Sequence, residues 1–383
     1  MTRVLHNTAV WLPQTQTWMY NQVRYLPPDI EAHICCESTQ NLDQFQVPNI
    51  HCFADQPLWK RYLDKGFRAL RMQRHRGLPV EVARKHGIDI LHSHFGHEGW
   101  KDMAIARRAG LKHVVTFYGL DVNYLPKSQP VWLERYRDLF AHVDAVLCEG
   151  PHMGRCIQAL GCPEEKIQVQ HLGIAIDEIP FAPYPWRPGK PLKVLMAASF
   201  REKKGIPLAL QAIARLRSRN PVEITLIGDA GSEPRAQAEK ARILDVIDRH
   251  DLTDAVRMMG YQHHSRMLTE AKRHHIFLSP SLTASDGDTE GGAPVSLIEM
   301  SAVGMMVIST THCDIPEVVV DGKTGLLAAE GDLDGLVGRL DWAIDHWQDW
   351  EAIRKAARKN VEEIFDARLQ AEKLAGIYRA LLK

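Results

Sequence analysis

The stretch IDILHSHFGHEGWKDMAIARRAGLKHVVTFYG, residues 88–119, holds the pattern that decides the fold. IDILHSH (88–94) is a short apolar run closed by a turn. GWKDMAIARRAG then carries helical spacing, and HVVTFYG (113–119) is a second apolar run closed by a turn. Strands separated by a helix of this length pair in parallel, with helices on both faces of the sheet. Moving outward, VWLERYRDLFAHV reads as a helix, and DAVLCEG (144–150) and IQVQHLG (167–173) as further buried strands. The rhythm restarts with LKVLMAAS (192–199), VEITLIGD (222–229), VRMMGY (256–261), HIFLSPS (275–281) and MMVIST (305–310). Two such runs predict an α/β protein of two doubly wound, Rossmann-like parallel sheets. Between them IPFAPYPWRPGKP places five prolines from Pro180 to Pro191, which suits neither a central strand nor a helix interior. A linker over 181–191 is expected.

The bulk properties agree. A chain of 383 residues exceeds what one core usually serves. Lys and Arg (47) balance Asp and Glu (47), so nothing global points to nucleic acid. The seven cysteines, Cys35, Cys36, Cys52, Cys148, Cys156, Cys162 and Cys313, are odd in number and form no CxxC pair. That favours reduced thiols in a cytoplasm over a disulfide framework or zinc ribbon. No run suits a bilayer span or a signal peptide, so a cytoplasmic location is expected.

In doubly wound sheets ligands sit beyond the carboxyl ends of strands. Two facing sheets would put a cleft between the domains. Segments rich in chemistry do follow strands: LHSHFGHEGW (91–100), TFYGLDV (116–122), ASFREKKG (198–205), IGDAG (227–231, with Gly228) and SPSLTASDGDTEGG (279–292). The last runs into APVSLIEM, where one charge, Glu299, stands among Val295, Leu297, Ile298, Met300 and Ala302. Pro294 suits the first position of a helix, and Gly291 and Gly292 allow close backbone approach to a ligand. The free amides of that first turn would accept a phosphate. A carboxylate in apolar company is seldom left unpaired, because its desolvation costs several kcal/mol. A vicinal diol such as ribose would suit it; an Arg partner or solvent is the plainer alternative.

The segment SPSLTASDGDTEGGAPVSLIEMSAVGMMVISTTHCDIPEVVVDGKTGLL resembles the donor-site signature of family 4 retaining glycosyltransferases, which have the two-domain GT-B fold. HSHFG, TFYGLD, REKKG and LIGDAG extend the likeness over most of the chain, and Leu12 to Gln22 matches a pattern of exopolysaccharide-building members. The resemblance implies an acceptor-side domain over 1–180, a donor domain over 192–364 and a C-terminal helix, 365–383, crossing back to the first domain. It implies transfer from a nucleoside diphosphate sugar (UDP- or GDP-linked) to a carbohydrate or lipid-linked acceptor, with no cofactor and no metal. DGD (286–288) falls at the sugar loop and is not a metal-binding DxD.

Carried over by residue, Glu299 matches the glutamate that holds ribose, and Glu290 the one near the transferred sugar. EGGAP has one residue more than the family's usual pattern, so backbone amides of Gly291, Gly292, Ala293 and Val295 around Pro294 are expected to share the work of Glu290. Lys204, preceding Gly205, matches the diphosphate lysine. The family's Arg position is held by Ser199, and Arg201 is expected to reach the same phosphates. His94 matches an acceptor-side position, and Asp121 stays as the acid of the TFYGLD turn. Tyr118, which cannot shuttle a proton near neutral pH, replaces a family His that often lies beside the transferred sugar.

Two other readings stand beside this one. His92, His94 and His97 could form a zinc site of a hydrolase, since residues two apart on a strand share a face. A sugar-nucleotide-binding subunit without catalysis is the other, supported by the altered spacing and Tyr118. His263–His264 and His274–His275 read as surface or capping residues, and Trp342, Trp347 and Trp350 as packing. Finally, LWKRYLDKGFRALRMQRHRG (58–77) sets seven basic residues against Asp64, with Trp59, Tyr62, Leu63, Phe67 and Leu70 at helical spacing. It is either a solvated helix packing its aromatics or a dock for an anionic membrane, giving a peripheral location.

Overall fold

In the computed structural model, which describes residues 1–13, 17–69 and 77–383 without the side chains of Thr17, Asp64, Lys65, Phe67, Arg68 and Ala69, both runs of strands become parallel sheets. The first contains β1 (Thr2–Trp11), β2 (Ile30–Thr39), β3 (Ile50–Cys52), β4 (Ile90–His94), β5 (Lys112–Thr116), β6 (Ala145–Cys148) and β7 (Ile167–Val169), in the order β3-β2-β1-β4-β5-β6-β7. The second contains β8 (Leu192–Ala197), β9 (Val222–Ile227), β10 (Val256–Met258), β11 (Ile276–Ser279), β12 (Met306–Thr310) and β13 (Leu326–Ala328), in the order β10-β9-β8-β11-β12-β13. Both orders step outward from a central strand, then reverse and step the other way, as in Rossmann-type folds. The reversal lies between β1 and β4 in one sheet and between β8 and β11 in the other. The sequence reading passed over β1, β2, β3 and β13.

The chain divides into Met1–Ile174 with Asp366–Lys383, and Ala175–Phe365. In the first unit every residue of β4 is buried, as a sheet covered on both faces requires. One face packs Val4, Ile90, Val114 and Leu147 against Leu374, Ala375 and Tyr378 of the helix Ala367–Leu381. The other sets Leu5 and Leu91 against Val82 and Ile105, and Val115 and Val146 against Tyr136 and Ile157. Burial of each such side chain contributes about 1.5–3 kcal/mol. Tyr378 is wholly buried, so its phenol needs a partner, and His92 Nδ1 lies 2.6 Å away.

The proline-rich stretch is no free linker. Its Ala182 N–H donates to Val303 O at 2.8 Å, and Trp186 is 5% exposed in the second unit's core, stacked on Trp350. The prolines exclude strand and helix but not packing, and the division falls ahead of them at Ile174/Ala175. His274 and His275 are also not surface residues. His274 bonds Glu270 O and Thr225 Oγ1, and His275 Nδ1 accepts from the Lys193 N–H; all this takes place within the core. Trp350 packs as expected, 3% exposed.

A helix does form over Leu58–Ala69, but Leu58, Trp59, Tyr62 and Leu63 are each more than half exposed, so these side chains lie outside the unit's buried core. The rest of that basic segment, 70–76, lies outside the described residues, as does 14–16 of the N-terminal pattern. Among the described residues no helix is long and apolar enough to cross a membrane.

Candidate active site

The loops that leave β8, β9 and β11 meet backbone to backbone. Gly205, at φ +62°, follows the turn Glu202–Lys204, and a Cβ there would lie 2.0 Å from Pro280 O. Gly228, at φ +122°, would place a Cβ 1.9 Å from Ala198 O. Only glycine permits both the left-handed backbone and the contact. This brings three segments widely separated in sequence to one end of the sheet.

Lys204 Nζ donates to Glu290 Oε2 at 2.7 Å, and Ser281 Oγ donates to Glu290 Oε1 at 2.7 Å. The Glu290 N–H donates to His312 Nε2 at 3.1 Å, whose Nδ1 lies 2.7 Å from Glu330 Oε2. Burial would push the Glu290 carboxyl up, but the ammonium groups of Lys204 and Lys203, with the Lys204 and Ser281 hydrogen bonds, outweigh it and hold the pKa at about 2. Lys203 Nζ reaches Asp288 Oδ1 at 3.1 Å and Thr289 O at 2.7 Å. Arg201 stands 3.9 Å from Asp288 and 3.7 Å from Glu233. Arg201, Lys203, Lys204, Glu290 and Asp288 thus form one charged cluster. The Ser199 O accepts from the Arg201 N–H at 2.9 Å.

Glu299 lies on the helix Val295–Val303 and is 6% exposed. It does have a partner: His264 Nε2, 2.6 Å from Glu299 Oε1. Burial would lower the His264 pKa, but the Glu299 charge and hydrogen bond raise it, with help from Glu178. His264 therefore joins the candidate site through Glu299, which its position beside His263 did not reveal. Pro294 stands one residue ahead of the helix rather than at its first position, its O accepting from the Leu297 N–H. Among the amides expected to serve phosphate, the Gly291 N–H already donates to Thr289 Oγ1 at 3.2 Å, while Gly292, Ala293 and Val295 follow it into the helix.

In the first unit, β4 is followed by Phe95, held at φ +73°, a strained conformation for a bulky residue of the kind that gathers at functional turns. Asp121 braces that turn, accepting the Gly96 N–H at 2.6 Å and the Tyr118 N–H at 2.9 Å. Burial raises its pKa against those bonds. His94 Nδ1 lies 2.6 Å from the Tyr118 hydroxyl and His94 Nε2 lies 3.0 Å from His6 Nδ1. The zinc reading built on His97 does not hold. His92 and His94 share a face, with rings 4.5 Å apart, but the third imidazole beside them is His6, from the neighbouring β1. His97 instead faces Glu98 and Trp132.

Two Rossmann-like parallel sheets, one with cations and carboxylates gathered at its strand ends, fit the two-domain GT-B architecture. Family profiles agree: one described as Glycosyltransferase Family 4 matches residues 15–178, and one described as Glycosyl transferases group 1 matches residues 184–360. An Escherichia coli (strain K12) protein named for colanic acid biosynthesis, a glycosyltransferase, is 32% identical over 309 residues, 79% of this chain and 73% of its own. The amylovoran biosynthesis glycosyltransferase of Erwinia amylovora is 32% identical over 315 residues, 79% of this chain and 74% of its own. The chain belongs to glycosyltransferase family 4. A solved Anabaena protein, HepE, in complex with UDP and glucose, shares the fold at a TM-score of 0.76 and 15% identity, covering 99% of this chain and 100% of that one.

Proposed function

We propose that this glycosyltransferase moves a sugar from a UDP- or GDP-sugar to an acceptor hydroxyl, with retention at the anomeric carbon, in exopolysaccharide assembly on a lipid-linked acceptor. The observation that carries this reading is the cluster of Arg201, Lys203 and Lys204 beside the buried carboxylate Glu290, with Glu299 on the helix that follows. The names of the colanic acid and amylovoran relatives support the pathway class, and the UDP complex of the Anabaena protein supports the donor class.

Breaking the anomeric C–O bond leaves a diphosphate with added negative charge. Arg201 and Lys204 aimed at that charge stabilise its departure, with the first amides of the Val295–Val303 helix beside them. Side-chain cations meet the charge, so turnover is expected to continue in the presence of a chelator. Glu290, ionised at neutral pH, accepts hydrogen bonds from the sugar's hydroxyls but has no proton to give. Its two oxygens are engaged by Lys204 and Ser281, which disfavours a covalent adduct through Glu290 and favours attack from the face the diphosphate leaves, its oxygen taking the acceptor's proton. Ribose hydroxyls would share Glu299 with His264.

The test is titration calorimetry with UDP and GDP. Glu299→Ala should weaken nucleotide binding by about 1.5–3 kcal/mol, the range for a hydrogen bond to a charged group. Unchanged affinity for both nucleotides in the folded variant refutes the assignment. The exposed Trp59 and Tyr62, in a segment rich in Lys and Arg, favour docking on an anionic membrane, where each basic residue near the surface adds about 1 kcal/mol. Lys60 is partly answered by Glu81 at 2.9 Å, so Arg61 and the aromatics are the better probes. Co-sedimentation with phosphatidylserine vesicles should fade with salt and with Trp59→Ser/Arg61→Gln. Equal sedimentation with neutral vesicles, or none at low salt, overturns the docking.

A further inference from the structure

At the outer edge of the first sheet, three histidines from three elements converge, and nothing in the glycosyl-transfer reading uses them. His33 lies on β2, His51 on the edge strand β3, and His86 is the last residue of the helix Leu78–His86. His33 is 1% exposed, while His51 and His86 are partly open to solvent. One nitrogen from each ring lies within 4.8 Å of the others, and His33 Nδ1 is 3.1 Å from His51 Nε2. Ring centroids stand 4.6 Å apart for His33 and His86 and 5.0 Å for His51 and His86.

We propose that His33, His51 and His86 form a binding site for one divalent late transition-metal ion, zinc above all, that clips the edge of the first sheet. Tetrahedral Zn–N bonds of 2.0–2.1 Å put ligand nitrogens about 3.3 Å apart, so one pair already stands at nearly that spacing and the third ring needs only a small rotation. The surroundings favour a cation. Glu31 Oε1 lies 3.3 Å from His33 Nε2, the nitrogen turned away from His51, and Arg3 Nε holds the same carboxylate through Oε2 at 3.0 Å. The His33–Glu31 contact is of ion-pair length and not aligned as a hydrogen bond. With a metal on Nδ1 in place of the contact to His51, the proton stands on Nε2 facing this carboxylate, the arrangement common behind metal-bound histidines. His86 also closes a helix, whose carboxyl end carries partial negative charge. Lys85 and Arg3 work against the ion and Glu31 for it. Solvent would complete the coordination, since His51 and His86 are open to it.

The other close trio, His6, His92 and His94, is different. Both nitrogens of His92 lie 2.6 Å from the hydroxyls of Tyr378 and Thr116, and both of His94 are engaged by His6 and Tyr118. A metal there would have to break bonds already made in a closed core.

The experiment uses the full chain without a histidine tag, stripped with chelator and titrated with zinc chloride by calorimetry and with cobalt(II) by visible absorption. The expected results are one ion per chain, the intense bands of tetrahedral cobalt, and a higher thermal midpoint with zinc. His51→Ala and His86→Gln, both at partly exposed positions, should each lower affinity at least tenfold and abolish the thermal shift. Glu31→Gln should lower affinity by about 10-fold, as behind other metal-bound histidines. His142→Ala, an exposed histidine elsewhere, should change nothing. Binding that survives in both His51→Ala and His86→Gln, or a parent affinity weaker than millimolar, overturns the proposal. These readouts are independent of nucleotide binding, so the site stands or falls apart from the donor assignment.

Discussion

Replacing Lys204 with Met removes the principal countercharge of a buried carboxylate. Lys204 and Glu290 are 2.7 Å apart, with side chains 18% and 6% exposed. The Glu290 pKa of about 2 lies well below its ordinary 4.5. At ~1.4 kcal/mol per tenfold, a carboxyl so displaced contributes about 3 kcal/mol at pH 7. The sign follows from the depressed folded value: the contribution is present above about pH 4.5 and is lost as pH falls towards 2. Breaking a buried pair from one side costs about 3–5 kcal/mol, and Lys203 and Ser281 remain, so Lys204→Met should cost about 3 kcal/mol. In a unit of this size that is a fall of about 6–12 °C in melting temperature. Scanning calorimetry at pH 7 and pH 3 measures it, and the gap to the parent should narrow at the lower pH. Adding Glu290→Gln should recover most of the loss, because two neutral groups no longer leave a buried charge unanswered. A single variant within 1 kcal/mol of the parent, or a double variant no better than the single, refutes the reasoning.

Gly205→Ala, with a left-handed φ and a Cβ 2.0 Å from Pro280 O, should lose more than the ~1–2 kcal/mol of backbone strain and weaken UDP binding by moving Lys204. Gly376→Ala, inside the helix Ala367–Leu381 with nothing within 4 Å of the added Cβ, should instead gain about 0.5–1 kcal/mol; urea melts of the pair test both signs. The His264 pKa is raised in the fold, so its pairing with Glu299 stabilises fully below pH 6.5 and less as pH rises through the folded value. Stability of the parent over His264→Gln should therefore shrink from pH 6 to pH 9, and an imidazole NMR titration should show Glu299→Gln bringing His264 down; an advantage that grows with pH contradicts this.

The contrast between β4 and β2 explains which strands were legible. ILHSH sits in an apolar run closed by a recognisable turn, whereas IEAHICCEST spreads Glu31, His33 and Glu37 along the strand. Glu31 and His33 are answered by Arg3 and His51, partners that no local pattern announces. The same limit applies at the site. A lone Glu299 in an apolar helix stands out, but its partner His264 comes from 35 residues earlier, and Lys204 finds Glu290 across 86. Turn chemistry and periodicity act over a few residues, so they revealed Gly291, Gly292 and the helix after Pro294. Which charges then face one another is decided by the order of strands in the sheet. Trp186 makes the same point for boundaries, since its five neighbouring prolines say nothing about where an indole will be buried.

The return of Asp366–Lys383 to the first unit fixes an order of events during synthesis. Ala175–Phe365 is a continuous segment and can close its core as soon as it leaves the ribosome. The first sheet emerges earlier yet must wait, because Leu374, Ala375 and Tyr378 cover the face that carries Val4, Ile90 and Val114, and Tyr378 supplies the hydroxyl beside His92. The domain translated first is thus the last to be finished, and its apolar face stays uncovered until residue 378 has left the ribosome.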